Sequence, residues 1–256
     1  VRSWAHPRLI AMNSGRITLV GGGPGAWDLL TIRGLRALEA ADVILADHLG
    51  PTAELEEFLD LTGKEVVDVA KLPYKKQVAQ ERINELLVEY ARAGKHVVRL
   101  KGGDPYVFGR GFEELEACAA EGLTCEVVPG VTSAISVPAA ARVPVTHRGI
   151  THAFTVVSGH LPPGHAKSLV DWAALAASGA TIVVVMGVKN ARAIAQSLID
   201  GGLSPATPTA IIQEGETASQ RAFYTDAAHL ADVMEAEGVS APAVYVFGEV
   251  AGLAHA

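Results

Sequence analysis

Val97-Val-Arg-Leu-Lys-Gly-Gly-Asp-Pro-Tyr-Val-Phe-Gly-Arg-Gly-Phe-Glu-Glu114 changes character twice along its length. Val97 to Leu100 reads as a strand. Lys101 to Gly111 is a glycine-rich loop, and Phe112 to Glu121 reads as a helix. Gly102 and Gly103 let a ligand come close to the backbone, and Pro105 stiffens the exit. The loop offers backbone N–H groups, carbonyls and one carboxylate, Asp104. The plainer alternative is a functionless surface loop with Asp104 as a turn residue, and a string this specific argues against it.

The same strand–loop–helix grammar extends in both directions. Upstream, Ile17 to Val20 is an apolar run ending in glycines, followed by a helix over Leu29 to Ala41. Strands are expected at Val43 to Ala46, ending at Asp47, and at Val66 to Val69. Val78 to Ala93 is the clearest helix, because Ile83, Leu86, Leu87 and Tyr90 fall on one face. Gly94 ends it. Downstream lie a strand at Cys125 to Val128 and a helical stretch at Thr132 to Ala141, interrupted by Pro138. Apolar strands alternating with amphipathic helices predict an α/β unit with a largely parallel sheet. Ligands of such sheets bind beyond the carboxyl ends of the strands. Three loops sit at those ends: Gly21 to Asp28, Lys101 to Gly111, and Pro129 to Ser133.

Around Arg142 to Gly149 the pattern breaks. Beyond it, strands are expected at Phe154 to Val157, Thr181 to Val185, Thr209 to Ile212 and Ala243 to Phe247. Helices are expected at Trp172 to Ala177, Ala191 to Ile199 and Ala227 to Glu237. Phe223 and Tyr224 fit an extra strand, and this half has room for antiparallel pairing. The predicted organisation is an N-terminal extension (1–15), a first α/β domain (16–145) and a second (146–256).

Composition bounds the function. The chain has 256 residues, of which 49% are hydrophobic and 19% charged, enough for a buried core and too apolar for a disordered chain. A net charge of −7 argues against a generally basic nucleic-acid binder. Yet Lys64 to Arg110 carries ten Lys or Arg against six Asp or Glu, a local +4. A basic segment on an acidic protein points to an anionic small substrate. Arg82, Arg92 and Lys95 read as a solvated helix face, whereas Lys71, Lys75, Lys76 and Arg110 lie in loops and are the better candidates. Cys118 and Cys125 are too few for a disulfide framework and read as buried free thiols of a reducing compartment. No apolar run spans a bilayer, and the first fifteen residues lack a secretory h-region. A cytoplasmic protein is expected.

Gly21-Gly-Gly-Pro-Gly25 superficially suggests dinucleotide binding, but the G-x-G-x-x-G spacing fails at Ala26. The alternative is a tight strand-to-helix turn. In Val128-Pro-Gly-Val-Thr-Ser-Ala134, Thr132 and Ser133 stand near a helix start; simple N-capping competes with ligand contact and is compatible with it. His147, His152, His160 and His165 lack metal-ligand spacing on any helix, so no metal is expected.

With these segments in view, the chain resembles the tetrapyrrole methylases. VGGGPGAWDLLTIRGLRAL, ADVILADHL, LKGGDPYVFGRGFEE, VVPGVTSA, VPVTHR, VSGH, VVVMG and APAVYVFGEV carry the likeness in order from Ile17 to Val250, and GGDP-x-x-FGRG is the most specific. The resemblance implies two α/β domains with S-adenosylmethionine in a cleft between them, a homodimer, and no nucleic-acid or membrane partner. It implies that Pro24, Gly102, Gly103, Asp104, Val107, Thr132, Ser133, Met186, Gly215 and Ala243 line the cofactor site. Asp47 and Lys71 align with a proton acceptor and donor. The implied reaction is methyl transfer to ring carbons of uroporphyrinogen III, twice, giving precorrin-2 and S-adenosylhomocysteine. The alternatives are a methylase acting on a later corrin intermediate, and a non-catalytic nucleotide-binding module.

Within that likeness, Arg110 is the first choice to pair with substrate carboxylates as a fork donor. Lys75 and Lys76 stand where the family more often has a His-containing segment. Ala26-Trp27 replaces a more usual Asp-Pro, and Gly50-Pro51 is also a departure. The likeness is to the stand-alone methyltransferase, without an attached dehydrogenase–ferrochelatase module. One expectation is that Asp47→Ala slows turnover while sparing cofactor binding.

Overall fold

A computed structural model describes residues 15–47, 55–69 and 80–255. These residues divide into two compact units. The first takes the described residues up to Gly22 together with Leu30–Gly130; the second takes Gly23–Leu29 and the residues from Val131 onward.

In the first unit the strands are β1 (Arg16–Gly21), β2 (Val43–Ala46), β3 (Glu65–Asp68), β4 (His96–Lys101) and β5 (Cys125–Val128). They form a parallel sheet in the order β3-β2-β4-β1-β5. The helices are α1 (Ile32–Glu39), α2 (Leu55–Phe58), α3 (Gln80–Arg92) and α4 (Gly111–Ala120). Thr31 caps α1 by accepting from the Gly34 N–H at 3.0 Å, so the helix starts later than the apolar pattern suggested. Trp27–Leu29 is a 3₁₀ turn instead. Ile83, Leu86 and Leu87 on α3 bury against Leu19, Leu45 and Val97 on one sheet face. Ala37 and Leu38 on α1 bury against Val20, Ile44 and Leu100 on the other. Val78 and Ala79, the expected first residues of α3, lie outside the described residues.

In the second unit the helices are α5 (Ser133–Ala140), α6 (Trp172–Ala177), α7 (Ala191–Asp200) and α8 (Leu230–Ala236). The strands are β6 (Phe154–Ser158), β7 (Thr181–Val185), β8 (Pro208–Gln213), β9 (Arg221–Asp226) and β10 (Ala243–Phe247). The sheet runs β6-β7-β10-β8-β9, parallel only between β6 and β7. The extra strand expected at Phe223 and Tyr224 is β9. One face buries residues of α6, α7 and α8 around Tyr245 and Phe247. The other buries α5.

Three readings change. The break between units falls at Gly130/Val131 and not at 145/146, because Ala134, Val137 and Ala141 pack with Val183, Val244 and Val246 of the second sheet. Pro138 does not interrupt α5 but sits inside it, buried, only two residues before the helix ends. Its missing N–H removes one bond of the helix, to the Ala134 carbonyl, and the helix runs on for only two more residues. Cys118 is buried, but Cys125 is half-buried because β5 is an edge strand. A hydrogen bond between the two thiols, with burial, pushes the Cys125 thiol up.

Candidate active site

The first unit gathers its described polar loops at the carboxyl ends of β4, β1 and β5, with Asp47 at the end of β2. From β1 the chain leads through α1 to β2 on one side. From β4 it leads through α4 to β5 on the other. The two connections cross along the sheet on opposite faces, α1 on one and α4 on the other, so the loops leaving adjacent β1 and β4 turn away from each other and open the crevice where parallel sheets bind ligands. There the loops touch through glycines. A Cβ on Gly130 would lie 2.2 Å from the Gly103 carbonyl oxygen and 2.6 Å from the Gly21 Cα. No L side chain fits at that contact.

The GGDP-x-x-FGRG string has a mechanical explanation. Asp104 ties the loop at two points: Oδ1 accepts from the Tyr106 N–H at 2.8 Å, and Oδ2 from the Gly130 N–H at 3.0 Å. The turn reading of Asp104 therefore holds, and its carboxylate keeps further lone pairs for a ligand. The Gly111 N–H donates to the Pro105 carbonyl at 2.9 Å, and a Cβ on Gly109 or Gly111 would meet that oxygen at 2.7 or 2.6 Å. Gly103, Phe108 and Arg110 have positive φ. Left-handed backbone at a non-glycine costs roughly 1–3 kcal/mol and clusters at ligand sites. Val107 is exposed on the loop.

Asp47 ends β2 beside this loop. Its Oδ1 accepts from the Gly102 N–H at 3.2 Å, and its Oδ2 accepts from Arg99 Nη2 at 3.2 Å. Arg99 and Lys101 lie on the same face of β4, both buried. Arg99 Nε and Lys101 Nζ reach Glu114 Oε1 on α4 at 3.2 and 2.9 Å. Arg99 Nη1 also donates to the Leu45 and Leu100 carbonyls. Desolvation, with Arg99 nearby, pulls the Lys101 ammonium below its ordinary value, and Glu114 opposes that shift. Sequence reading missed this cluster. The signal was present: two cations two residues apart in an apolar strand share one buried face and need a buried anion.

Arg110 stands at the N-terminus of α4, where its guanidinium forks onto Glu113 at 2.9 and 2.6 Å. This exposed pair has small net worth and can be exchanged for another carboxylate. Lys71, Lys75 and Lys76 lie outside the described residues.

The second unit presents the remaining predicted residues. Thr132 caps α5, its Oγ1 accepting from the Ala134 N–H at 3.3 Å, so the capping alternative is realised. Thr132→Ala is expected to destabilise the fold by about 1 kcal/mol, measurable as a lower midpoint in denaturant. Ser133 opens the helix. Met186 ends β7 with φ 58°, its side chain exposed. Ala243 opens β10 next to it in register, and Gly215 follows β8 on the same sheet edge. A Cβ on Gly215 would come within 2.5 Å of Val137 on α5. Glu214 and Glu216 on either side are also left-handed. The turn after Pro24 packs here as well, Gly25 lying against Glu216 and Thr217.

The family model for tetrapyrrole (corrin/porphyrin) methylases matches residues 16–231. The chain belongs to the tetrapyrrole methylase family. It is 46% identical to the S-adenosyl-L-methionine-dependent uroporphyrinogen III methyltransferase of Methanosarcina barkeri, over 94% of each chain. It is 45% identical to the siroheme synthase of Azotobacter vinelandii over 93% of its own length, and spans about half (51%) of that longer protein. It superposes with a TM-score of 0.75 on the crystal structure of uroporphyrin-III C-methyl transferase from Thermus thermophilus complexed with S-adenyl homocysteine. That protein is 39% identical, with 93% of this chain and 94% of that one covered.

The methylase assignment accounts for the failed dinucleotide spacing at Gly21–Gly25. Among the described residues, no group of three or more His, Cys, Asp or Glu could hold a metal ion. None of the described helices is long and apolar enough to cross a membrane.

Proposed function

We propose that this methylase transfers methyl groups from S-adenosylmethionine to ring carbons of uroporphyrinogen III, twice, giving precorrin-2 and S-adenosylhomocysteine. The observation that carries this is the 46% identity, over 94% of each chain, to a methyltransferase of that substrate.

The residues available suit the cofactor chemically. Asp104 offers a carboxylate to an ammonium. Thr132 and Ser133 offer hydroxyls, and the exposed Met186 offers an apolar, polarisable surface. Gly102 and Gly103 present backbone without side chains. When bound, S-adenosylmethionine supplies an electrophilic methyl on its sulfonium. The protein's part is then mostly proximity and orientation, which can be worth on the order of 7–11 kcal/mol. Arg110 exchanges Glu113 for a substrate carboxylate, and Lys75 and Lys76 add positive charge. Asp47 takes the proton released beside the methylated ring, and Lys71 stabilises charge. The active form is a homodimer.

Counting S-adenosylhomocysteine against tetrapyrrole consumed tests the reading. Two equivalents per uroporphyrinogen III are expected. Cofactor binding without any S-adenosylhomocysteine release would instead favour a non-catalytic module.

A further inference from the structure

We infer that Glu114 and Arg99 are positioning residues for Asp47, tying the proposed proton acceptor and the start of the cofactor loop into one buried ionic frame. This rests on the reading of Asp47 as the base. Glu114 is fully buried, and its Oε1 alone takes donors from Arg99 Nε, Lys101 Nζ and Gln80 Nε2 at 3.2, 2.9 and 3.0 Å. Its Oε2 has no partner among the described residues. A carboxylate that crowds three donors onto one oxygen sets the plane of the guanidinium it holds. The two backbone carbonyls on Nη1 complete that constraint. The remaining edge of the fork, Nη2, is thereby aimed at Asp47 Oδ2. Asp47 Oδ1 in turn holds the Gly102 N–H.

Charge makes the same point. Two buried cations, Arg99 and Lys101, meet two carboxylates, Glu114 and Asp47. Without the Glu114 charge, both cations have only Asp47 as a carboxylate partner among the described residues. Asp47 would be drawn toward them and away from its aim.

The test is Glu114→Gln beside the double variant Lys101→Met/Glu114→Gln. Glutamine keeps the Oε1 acceptor, puts its amide where Oε2 has no partner, and removes the charge. The double variant also removes one cation and so restores the balance. Glu114→Gln is expected to lower kcat by about 10- to 100-fold, the size of a sub-ångström to 1 Å misplacement. Its S-adenosylhomocysteine Kd should rise by less than its kcat falls, because Asp47 Oδ1 also holds the Gly102 N–H. The double variant should recover most of the lost kcat.

A folded Glu114→Gln with native kcat overturns the inference. So does a double variant as slow as the single, which would make Glu114 a packing residue only. Losing one partner of a buried ionic cluster is strongly destabilising. If Glu114→Gln does not fold, the balanced double variant decides: near-native kcat supports the inference and a low kcat overturns it. Asp47→Asn is measured alongside, because native turnover in that variant would remove the base reading itself and not the frame.

Discussion

Asp47→Asn is expected to slow methyl transfer by about 10²- to 10⁴-fold, the usual worth of a general base. Asparagine keeps an oxygen for the Gly102 N–H, so the cofactor loop stays hooked. It loses the capacity to take a proton and sets an amide against Arg99 Nη2. S-adenosylhomocysteine affinity should therefore stay within about threefold of native, since the contacts removed lie outside uniform cofactor binding. Asp47→Ala is a different experiment. It also removes the acceptor for Gly102, so it should slow turnover and weaken S-adenosylhomocysteine binding together. From sequence, Asp47→Ala was expected to spare the cofactor; the bond to Gly102 revises that expectation. Steady-state kinetics with calorimetric S-adenosylhomocysteine titration separates the two variants. Native kcat in Asp47→Asn would remove Asp47 from the chemistry.

Gly130→Ala should strike the cofactor instead. The new Cβ would sit 2.2 Å from the Gly103 oxygen and 2.6 Å from the Gly21 Cα. Both are backbone atoms, so no side chain can swing away. The loops after β1, β4 and β5 must part, and the bond from the Gly130 N–H to Asp104 Oδ2 stretches or breaks. Displacing this loop costs the cofactor about one hydrogen bond to a charged group, so the S-adenosylhomocysteine Kd is expected to rise by roughly 10- to 100-fold. Overpacking should also cost about 1–3 kcal/mol of stability. Calorimetry and thermal denaturation read the two effects. An unchanged Kd in the folded variant would mean that the three-glycine contact does not shape the cofactor site.

How much of this was legible depended on the range of the interaction. β4 was legible because Val97, Val98 and Leu100, just before a glycine-rich loop, form a local strand pattern. The helix α3 was legible because Ile83, Leu86 and Leu87 repeat at the helical period. The loops at strand ends followed from the alternation of elements and the parallel-sheet rule. Three features were not legible. Arg99 and Lys101 were not paired with Glu114, which lies on the next helix and which only the fold brings underneath them. Gly21 read as part of a tight turn and Gly103 as room for a ligand; that Gly21, Gly103 and Gly130 exclude one another's side chains is a contact between three distant segments. The unit boundary was misplaced because α5 belongs by burial to the sheet that follows it, and a composition break at Arg142 to Gly149 carries no information about burial. Arg110 was read as a cation free for substrate, and its pairing with Glu113 one helical turn away was available from the i,i+3 spacing.

The most direct test of the account is the mass of the tetrapyrrole formed when the purified protein is incubated anaerobically with S-adenosylmethionine and uroporphyrinogen III. Gain of two methyl groups is the predicted result. No gain, in a protein that still binds S-adenosylhomocysteine, would contradict the substrate while leaving the family intact.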